Sequence, residues 1–307
     1  VKVVIAGGSG FLGRALTQRL TAGGHTVVVL TRGTAGSDGP GVQRTTWMPN
    51  GETGPWAGEL DGAHAVVNLA GASLADRRWS AEYKQQILNS RVHATRSLAG
   101  AIAAARTPPA VLVSASAVGY YGPHGDEPLT ETTPAGSDLL AQVCVQWEAE
   151  ANRAATSGTR VVCVRGGLAL AVNGGAVPRM LPPFKMGLGG PVGSGRQYWA
   201  WIHRDDWASL VLWAIHSDAV EGPVNGTAPE PATSTEFARS LGRALHRPAV
   251  LPVPAFALRL LFGEMAEATL LSGQRAIPAK ATALGFSFRY PRIDDAFDAI
   301  FGAHGSG

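Results

Sequence analysis

The apolar positions of this chain fall into short continuous runs, and the stretches between them carry helical spacing. Val3-Val4-Ile5-Ala6 runs into glycines at positions 7, 10 and 13 and then directly into a helix-forming stretch, after which Thr26-Val27-Val28-Val29-Leu30 forms a second run. Runs that are apolar on both faces are the signature of parallel strands buried between helical layers. Residues 42–47 predict a short third strand, and residues 63–71 a buried fourth strand that ends in glycine. Ser80 is placed to cap a long helix over residues 80–105, and Pro108-Pro109 separate that helix from a strand over 110–116. A helix over 138–156 then leads to a strand over 160–165. Strands alternating with helices of this length predict an α/β fold, a doubly wound parallel sheet whose ligands lie beyond the carboxyl ends of the strands.

The rhythm changes after Arg165. Glycines at 174, 175, 187, 189, 190, 193 and 195, with Pro178, Pro182 and Pro183 among them, predict a substrate-side loop region. Order returns at 199–206, and a helix over 206–216 is expected to rejoin the sheet layer. Ser234 is expected to cap a helix over 235–245, and a proline-rich connection over 248–254 leads to a last helical stretch and the tail 286–291. The division this suggests is a dinucleotide-binding domain over 1–165 and a smaller substrate-side domain over 166–307, with 200–217 returning to the first.

The first strand, its glycines and the helix behind them suit a dinucleotide pyrophosphate. Gly7, Gly10 and Gly13 permit a tight turn, let the backbone approach the phosphates and let the helix pack closely on the strand, with its N-terminus facing the anion. Phe11 and Leu12 stand in the first turn of that helix, within reach of the same group. About twenty residues on, where an acid would read the ribose hydroxyls of NAD, the second strand ends in Thr31-Arg32. A guanidinium there favours a 2′-phosphate, so Arg32 points to NADP. The other reading of Arg32 is a solvated arginine at a strand end, since only Lys2, Lys84, Lys185 and Lys280 among the 26 basic residues are lysines.

Composition narrows the remaining classes. The chain has 307 residues and 45% hydrophobic content, enough for one large or two small domains. Its 26 basic and 23 acidic residues are scattered without a run of five like charges, so nothing points to a nucleic-acid partner. The most apolar stretch, 249–261, is interrupted by Pro252, Pro254 and Arg259, which predicts no membrane span. Its start on a strand predicts no secretory leader. Cys144 and Cys163 form no metal-ligand spacing and fit a reducing, cytoplasmic setting.

The glycine spacing, Asn68-Leu69-Ala70-Gly71, the segment Ser114-Ala115-Ser116-Ala117-Val118-Gly119-Tyr120-Tyr121-Gly122 and Trp201-Ile202-His203-Arg204-Asp205-Asp206 together resemble the extended short-chain dehydrogenase/reductases. The 187–195 segment, Trp147-Glu148 and the 270–290 tail resemble one atypical branch, the epimerase-family proteins sometimes labelled cell-division inhibitors. The resemblance spans nearly the whole chain. It implies a Rossmann domain, NADP as cofactor with Leu69, Ala70 and Gly71 beside it, a distinctive C-terminal domain and a small-molecule substrate; a homodimer is one assembly open to it, the sequence leaving the oligomeric state undecided.

The same resemblance exposes a departure. The superfamily uses a Tyr-x-x-x-Lys pair in which tyrosine is the acid/base and lysine lowers its pKa. Four residues beyond Tyr83, Tyr120, Tyr121, Tyr198 and Tyr290 stand Ile87, His124, Gly125, Ile202 and Asp294, never lysine. Aligned on Glu148, the pair's places fall to Leu140 and Cys144. Ser116, at its strand's carboxyl end, and Tyr121, or Tyr120, are the candidate replacements. The alternative for Ser116 is a backbone cap, and for the tyrosines packing. Arg91 stands where relatives often have asparagine, and either reaches cofactor or substrate phosphates or pairs with a surface carboxylate. His203 fits a structural brace better than an acid/base, and no metal site is expected. The activity implied is NADP-dependent oxidoreduction or epimerisation, and the alternative is a silent NADPH-binding redox sensor.

Overall fold

A computed structural model describes residues 1–302, and in it the apolar runs become the strands of one sheet. The strands in chain order are β1 (Lys2–Ala6), β2 (Thr26–Thr31), β3 (Gly36–Ser37), β4 (Val42–Thr46), β5 (Ala65–Asn68), β6 (Val111–Ala117), β7 (Arg160–Gly166), β8 (Leu168–Ala171), β9 (Gly174–Gly175), β10 (Tyr198–Trp199), β11 (Trp201–His203), β12 (Gly222–Gly226) and β13 (Ala232–Thr233). The main sheet runs β12-β7-β6-β5-β1-β2-β4-β3. Only β3 is antiparallel to its neighbour. From β1 the chain winds first outward through β2 and β4, then returns to the other side through β5, β6 and β7. The order therefore reverses between β1 and β5, and the crevice of a doubly wound sheet opens at that point.

Helices cover both faces. They are α1 (Phe11–Ala22), α2 (Ala81–Ala104), α3 (Leu139–Asn152), α4 (Val177–Lys185), α5 (Arg204–His216), α6 (Ser234–Ala244), α7 (Ala255–Phe262), α8 (Ala279–Ala283) and α9 (Ile293–Phe301). Because both faces are covered, Val3, Val4, Ile5 and Ala6 are completely buried. Val3 and Ile5 join the layer of Leu16, Trp207 and Val211 on the α1 and α5 side, and Val4 and Ala6 join Leu98, Ile102 and Ala151 on the α2 and α3 side. A third core of Trp201, Phe237, Phe297 and Leu241 lies under α6 and α9.

Several boundaries differ from the sequence expectation, each for a local reason. The fourth strand stops at Asn68, whose side-chain oxygen accepts the Ala70 N–H at 3.2 Å; the Leu69 N–H still donates to the Ala6 carbonyl, and Ala70 and Gly71 leave the ladder. Helix α3 is α-helical only to Asn152 and tightens to 3-10 geometry over Arg153–Ser157. The expected loop after Gly174 instead contains α4. Pro178 is at home in its first turn, and burial of Val177, Leu181 and Phe184 on one face offsets the missing donors of Pro182 and Pro183. The cap of α6 is Thr233, not Ser234. Thr233 Oγ1 accepts the Glu236 N–H while the Glu236 carboxylate accepts the Thr233 N–H, and Ser234 Oγ accepts the Val192 N–H.

Candidate active site

The glycine turn leaves no room for side chains on its inner side. Gly7 has φ +80°, and a Cβ on it would lie 2.8 Å from the Leu69 carbonyl, while one on Gly13 would lie 2.5 Å from Gly8 Cα. Gly10 donates its N–H to the Gly7 carbonyl at 3.0 Å, closing the turn. No side chain caps α1, so its first amides face the crevice unclaimed by any side-chain acceptor. Phe11 projects across this mouth to the C-terminal half, where a Cβ on Gly175 would meet its ring at 3.1 Å. Leu12 turns inward onto the core. Arg32 is exposed at the carboxyl end of β2, and Leu69–Gly71 borders the turn from β5, with Gly71 exposed.

A buried polar chain runs behind the carboxyl ends of β6, β7 and β12. Ser116 Oγ donates to Glu148 Oε1 at 2.7 Å, and Arg165 grips the same carboxylate through Nε at 2.8 Å and Nη2 at 2.9 Å. Arg165 Nη1 donates to the Tyr121 hydroxyl at 3.2 Å, which donates to Asn225 Oδ1 at 2.6 Å. The guanidinium also lies 3.4 Å from the Tyr120 ring centroid. Burial opposes the charge on Arg165, but its hydrogen bonds and attraction to Glu148 outweigh that and raise its pKa. Tyr121 is 0% exposed, and burial raises its phenol above the usual range against the lowering effect of Arg165.

The structure thus brings Ser116 and Tyr121 onto one hydrogen-bonded chain, through Glu148 and Arg165. Arg165 and Asn225 escaped sequence reasoning. The available signal was a charge closing the buried run Val161-Val162-Cys163-Val164 of β7, since a fully buried arginine demands a partner. Cys144 Sγ faces the Ala117 carbonyl at 3.7 Å and Leu140 touches Gly119, so these two side chains do lie beside the serine strand. Burial pushes the Cys144 thiol up to about 11.

Arg91 and His203 occupy different settings. Arg91, half-buried on α2, donates to its own helix at the Ile87 carbonyl and lies 5.2 Å from the Trp147 ring centroid, against Gly71. Among the described residues it makes no ion pair with a carboxylate. His203 caps α5 by accepting the Asp205 N–H on Nδ1 at 3.1 Å. The Asp206 carboxylate accepts the Arg289 and Tyr290 amides at 3.0 and 2.8 Å, which fastens the C-terminal tail. Among the described residues no group of three His, Cys, Asp or Glu side chains is arranged to hold a metal, and no helix is long and apolar enough to cross a membrane.

A reversed-order parallel sheet with an unobstructed glycine turn and a helix N-terminus at the reversal defines a Rossmann-type nucleotide-binding protein of the extended short-chain dehydrogenase/reductase kind. The chain belongs to the NAD dependent epimerase/dehydratase family, which it matches over residues 3–225; residues 253–300 match a domain of unknown function, DUF1731. It is 44% identical over 296 residues to the epimerase family protein Mb2239 of Mycobacterium bovis, covering 96% of this chain and 95% of that one. To the epimerase family protein SDR39U1 of Homo sapiens it is 39% identical over 303 residues, covering 98% and 99%. The crystal structure of human SDR39U1 (isoform 2) with NADPH superimposes with a TM-score of 0.90 at 38% identity, over 98% of this chain and 99% of that one. The nucleoside-diphosphate sugar epimerase from Corynebacterium glutamicum superimposes with a TM-score of 0.79 at 34% identity, over 99% of this chain but only 58% of that one.

Proposed function

We propose that the protein binds NADPH in the crevice between β1 and β5 and uses it in oxidoreduction or epimerisation of a small molecule. The observation that carries this reading is the tight turn at Gly7, Gly10 and Gly13, which a Cβ at Gly7 or Gly13 would force off the neighbouring backbone, set against the uncapped start of α1. The likeness to human SDR39U1, whose crystal structure contains NADPH, supports the same cofactor. The pyrophosphate would rest on the turn beside Phe11 and Leu12, Leu69–Gly71 would flank it, and Arg32 would take the 2′-phosphate. When bound, the nicotinamide supplies or accepts a hydride. In this reading residues 1–165 hold the cofactor and 166–307 face it from the substrate side, with α5 returning to the first layer against α1, as its place in the β1 core supports.

Ser116 is the group of the polar chain that meets substrate. Its proton is committed to Glu148, so its oxygen is left to accept a hydrogen bond from a substrate hydroxyl. Tyr121, enclosed between Asn225 and Arg165, is a positioning residue that holds Arg165, and through it Glu148, in place. The enclosure of that phenol also favours a second reading, a protein that binds NADPH without turnover and signals its redox state.

Two measurements test the proposal. Arg32→Ala is expected to lose about 1.5–3 kcal/mol of NADPH binding, the worth of hydrogen bonds to a charged group, with NADH binding unchanged; equal NADPH affinity in both proteins removes Arg32 from the site. Carbonyl compounds and nucleotide-sugars are then screened against the NADPH-loaded protein by nicotinamide absorbance. Turnover that falls about 10²-fold or more in Ser116→Ala supports the enzyme. An absence of turnover across the screen favours the sensor.

A further inference from the structure

Among the described residues Arg91 is a cation without a counter-charge at the edge of the crevice. Of its five N–H donors, those residues engage one, at the Ile87 carbonyl 2.9 Å away. Its guanidinium lies on the face of Trp147, whose indole Nε1 is itself buried without an acceptor. The ionisable neighbours that act on it are the Cys144 thiol and the Tyr83 phenol, with no carboxylate among them, and burial lowers its pKa. Two other guanidinia withdrawn from solvent behave differently: Arg165 holds Glu148 in a two-point grip, and Arg160 is closed off by the carbonyls of Ala214, Ile215 and Val220. A partly desolvated cation left with free donors is costly, and a ligand anion removes the cost.

Position decides which part of the crevice it serves. A Cβ on Gly71 would touch Arg91 Cγ and Cζ at 3.2 Å, so the guanidinium borders the exposed loop that leaves the carboxyl end of β5. Its other neighbours, Trp147 and Cys144, are one turn apart on α3, and Cys144 faces the strand of Ser116. The turn at Gly7–Gly13, with its own helix N-terminus, abuts Leu69 and Ala70 of the same loop. The guanidinium therefore lies between the loop that flanks the proposed cofactor and the helix whose Cys144 faces the strand of Ser116. It is also next to Cys144, which alignment on Glu148 sets at the place of the superfamily lysine, so in that alignment a neighbouring helix supplies a fixed positive charge beside α3.

We propose that Arg91 is an oxyanion-recognising residue of the substrate subsite, and that the substrate taken beside the dinucleotide carries a carboxylate or phosphate group. This rests on the NADPH reading above. The planar fork suits either group through paired N–H bonds, and stacking on Trp147 fixes its plane. Recognition of the anion and a hydrogen bond donated by the substrate hydroxyl to Ser116 would together orient a small hydroxy-acid with its reacting carbon between them.

The test is a titration of the protein–NADPH complex, followed by nicotinamide fluorescence, with oxamate as the carboxylate probe and inorganic phosphate as the phosphate probe. NADPH is first titrated alone, so that a failure of the cofactor reading is seen separately. Saturable binding of at least one probe to the wild type is expected, weakened about 10- to 100-fold in Arg91→Met and less in Arg91→Lys, which keeps charge without the fork. Preference between the probes tells carboxylate from phosphate. A wild-type complex that binds NADPH but neither probe overturns the proposal. So does an Arg91→Met protein that keeps probe affinity, or one that loses NADPH affinity to the same extent as probe affinity. Should Arg91→Met fail to fold, Arg91→Lys decides alone: unchanged affinity for both probes overturns the proposal, and a loss of threefold or more supports it.

Discussion

At position 203 an imidazole does the work of a helix cap. Its Nδ1 accepts the Asp205 amide only while unprotonated there, and its ring centroid lies 4.1 Å from that of Tyr290, the two rings tilted by 43°. Burial lowers its pKa below the ordinary 6.5, with Asp205 and Asp206 opposing that shift. The unfolded chain therefore binds the proton more readily than the folded one, and unfolding free energy falls as acid is added. The contribution is complete above about pH 6.5 and is lost as the pH drops from there toward the lower folded value. Urea unfolding between pH 7 and 5 is expected to show a steeper loss of stability in the wild type than in His203→Asn, which keeps a capping oxygen without a titration. Parallel curves would remove His203 as the source.

The elements show what a sequence can and cannot reveal. Runs such as Val3–Ala6 and Val161–Val164 exclude water from both faces, so their strands were legible at once, as was the glycine turn, because a turn that admits no Cβ must be written in glycine. The cap of α6 was not. Thr233 and Ser234 are both good caps, and only the position of Glu236 three residues after Thr233 selects between them. Thr233→Ala is expected to lower stability by about 1 kcal/mol in thermal or urea unfolding, and Ser234→Ala to leave the helix cap intact. Helix α4 was illegible for a different reason, since its prolines mask an apolar face that matters only once the third core is assembled. The candidate site divides the same way. Ser116 was readable from its place at a strand end, whereas the Arg165 grip on Glu148 joins residues 17 apart on a strand and a helix whose packing no spacing rule encodes. Likewise the lack of an acid beside Arg91 is a property of the fold alone.

Across the whole molecule, the two halves of the chain are needed to finish one crevice. Phe11 from the first turn packs on Gly174 and Gly175, and the Glu131 carboxylate accepts the amides of Asn225 and Lys280, tying β12 and α8 to the loop that follows β6. The tail is bound in turn through Asp206, at the start of a helix that lies in the β1 core. The sheet reversal thereby presents three groups along one edge, a serine held by a buried ion pair at β6, an uncapped helix N-terminus after β1 and an exposed arginine at the end of β2, which the proposed function assigns to substrate, pyrophosphate and ribose phosphate. The central claim is that this edge is an NADPH site that selects the 2′-phosphate. Calorimetric titration of the wild-type protein with NADPH and with NADH tests it most directly. One-to-one binding of NADPH, tighter than NADH by about tenfold or more, is the expected result; no binding of either nucleotide, or tighter binding of NADH, would contradict it.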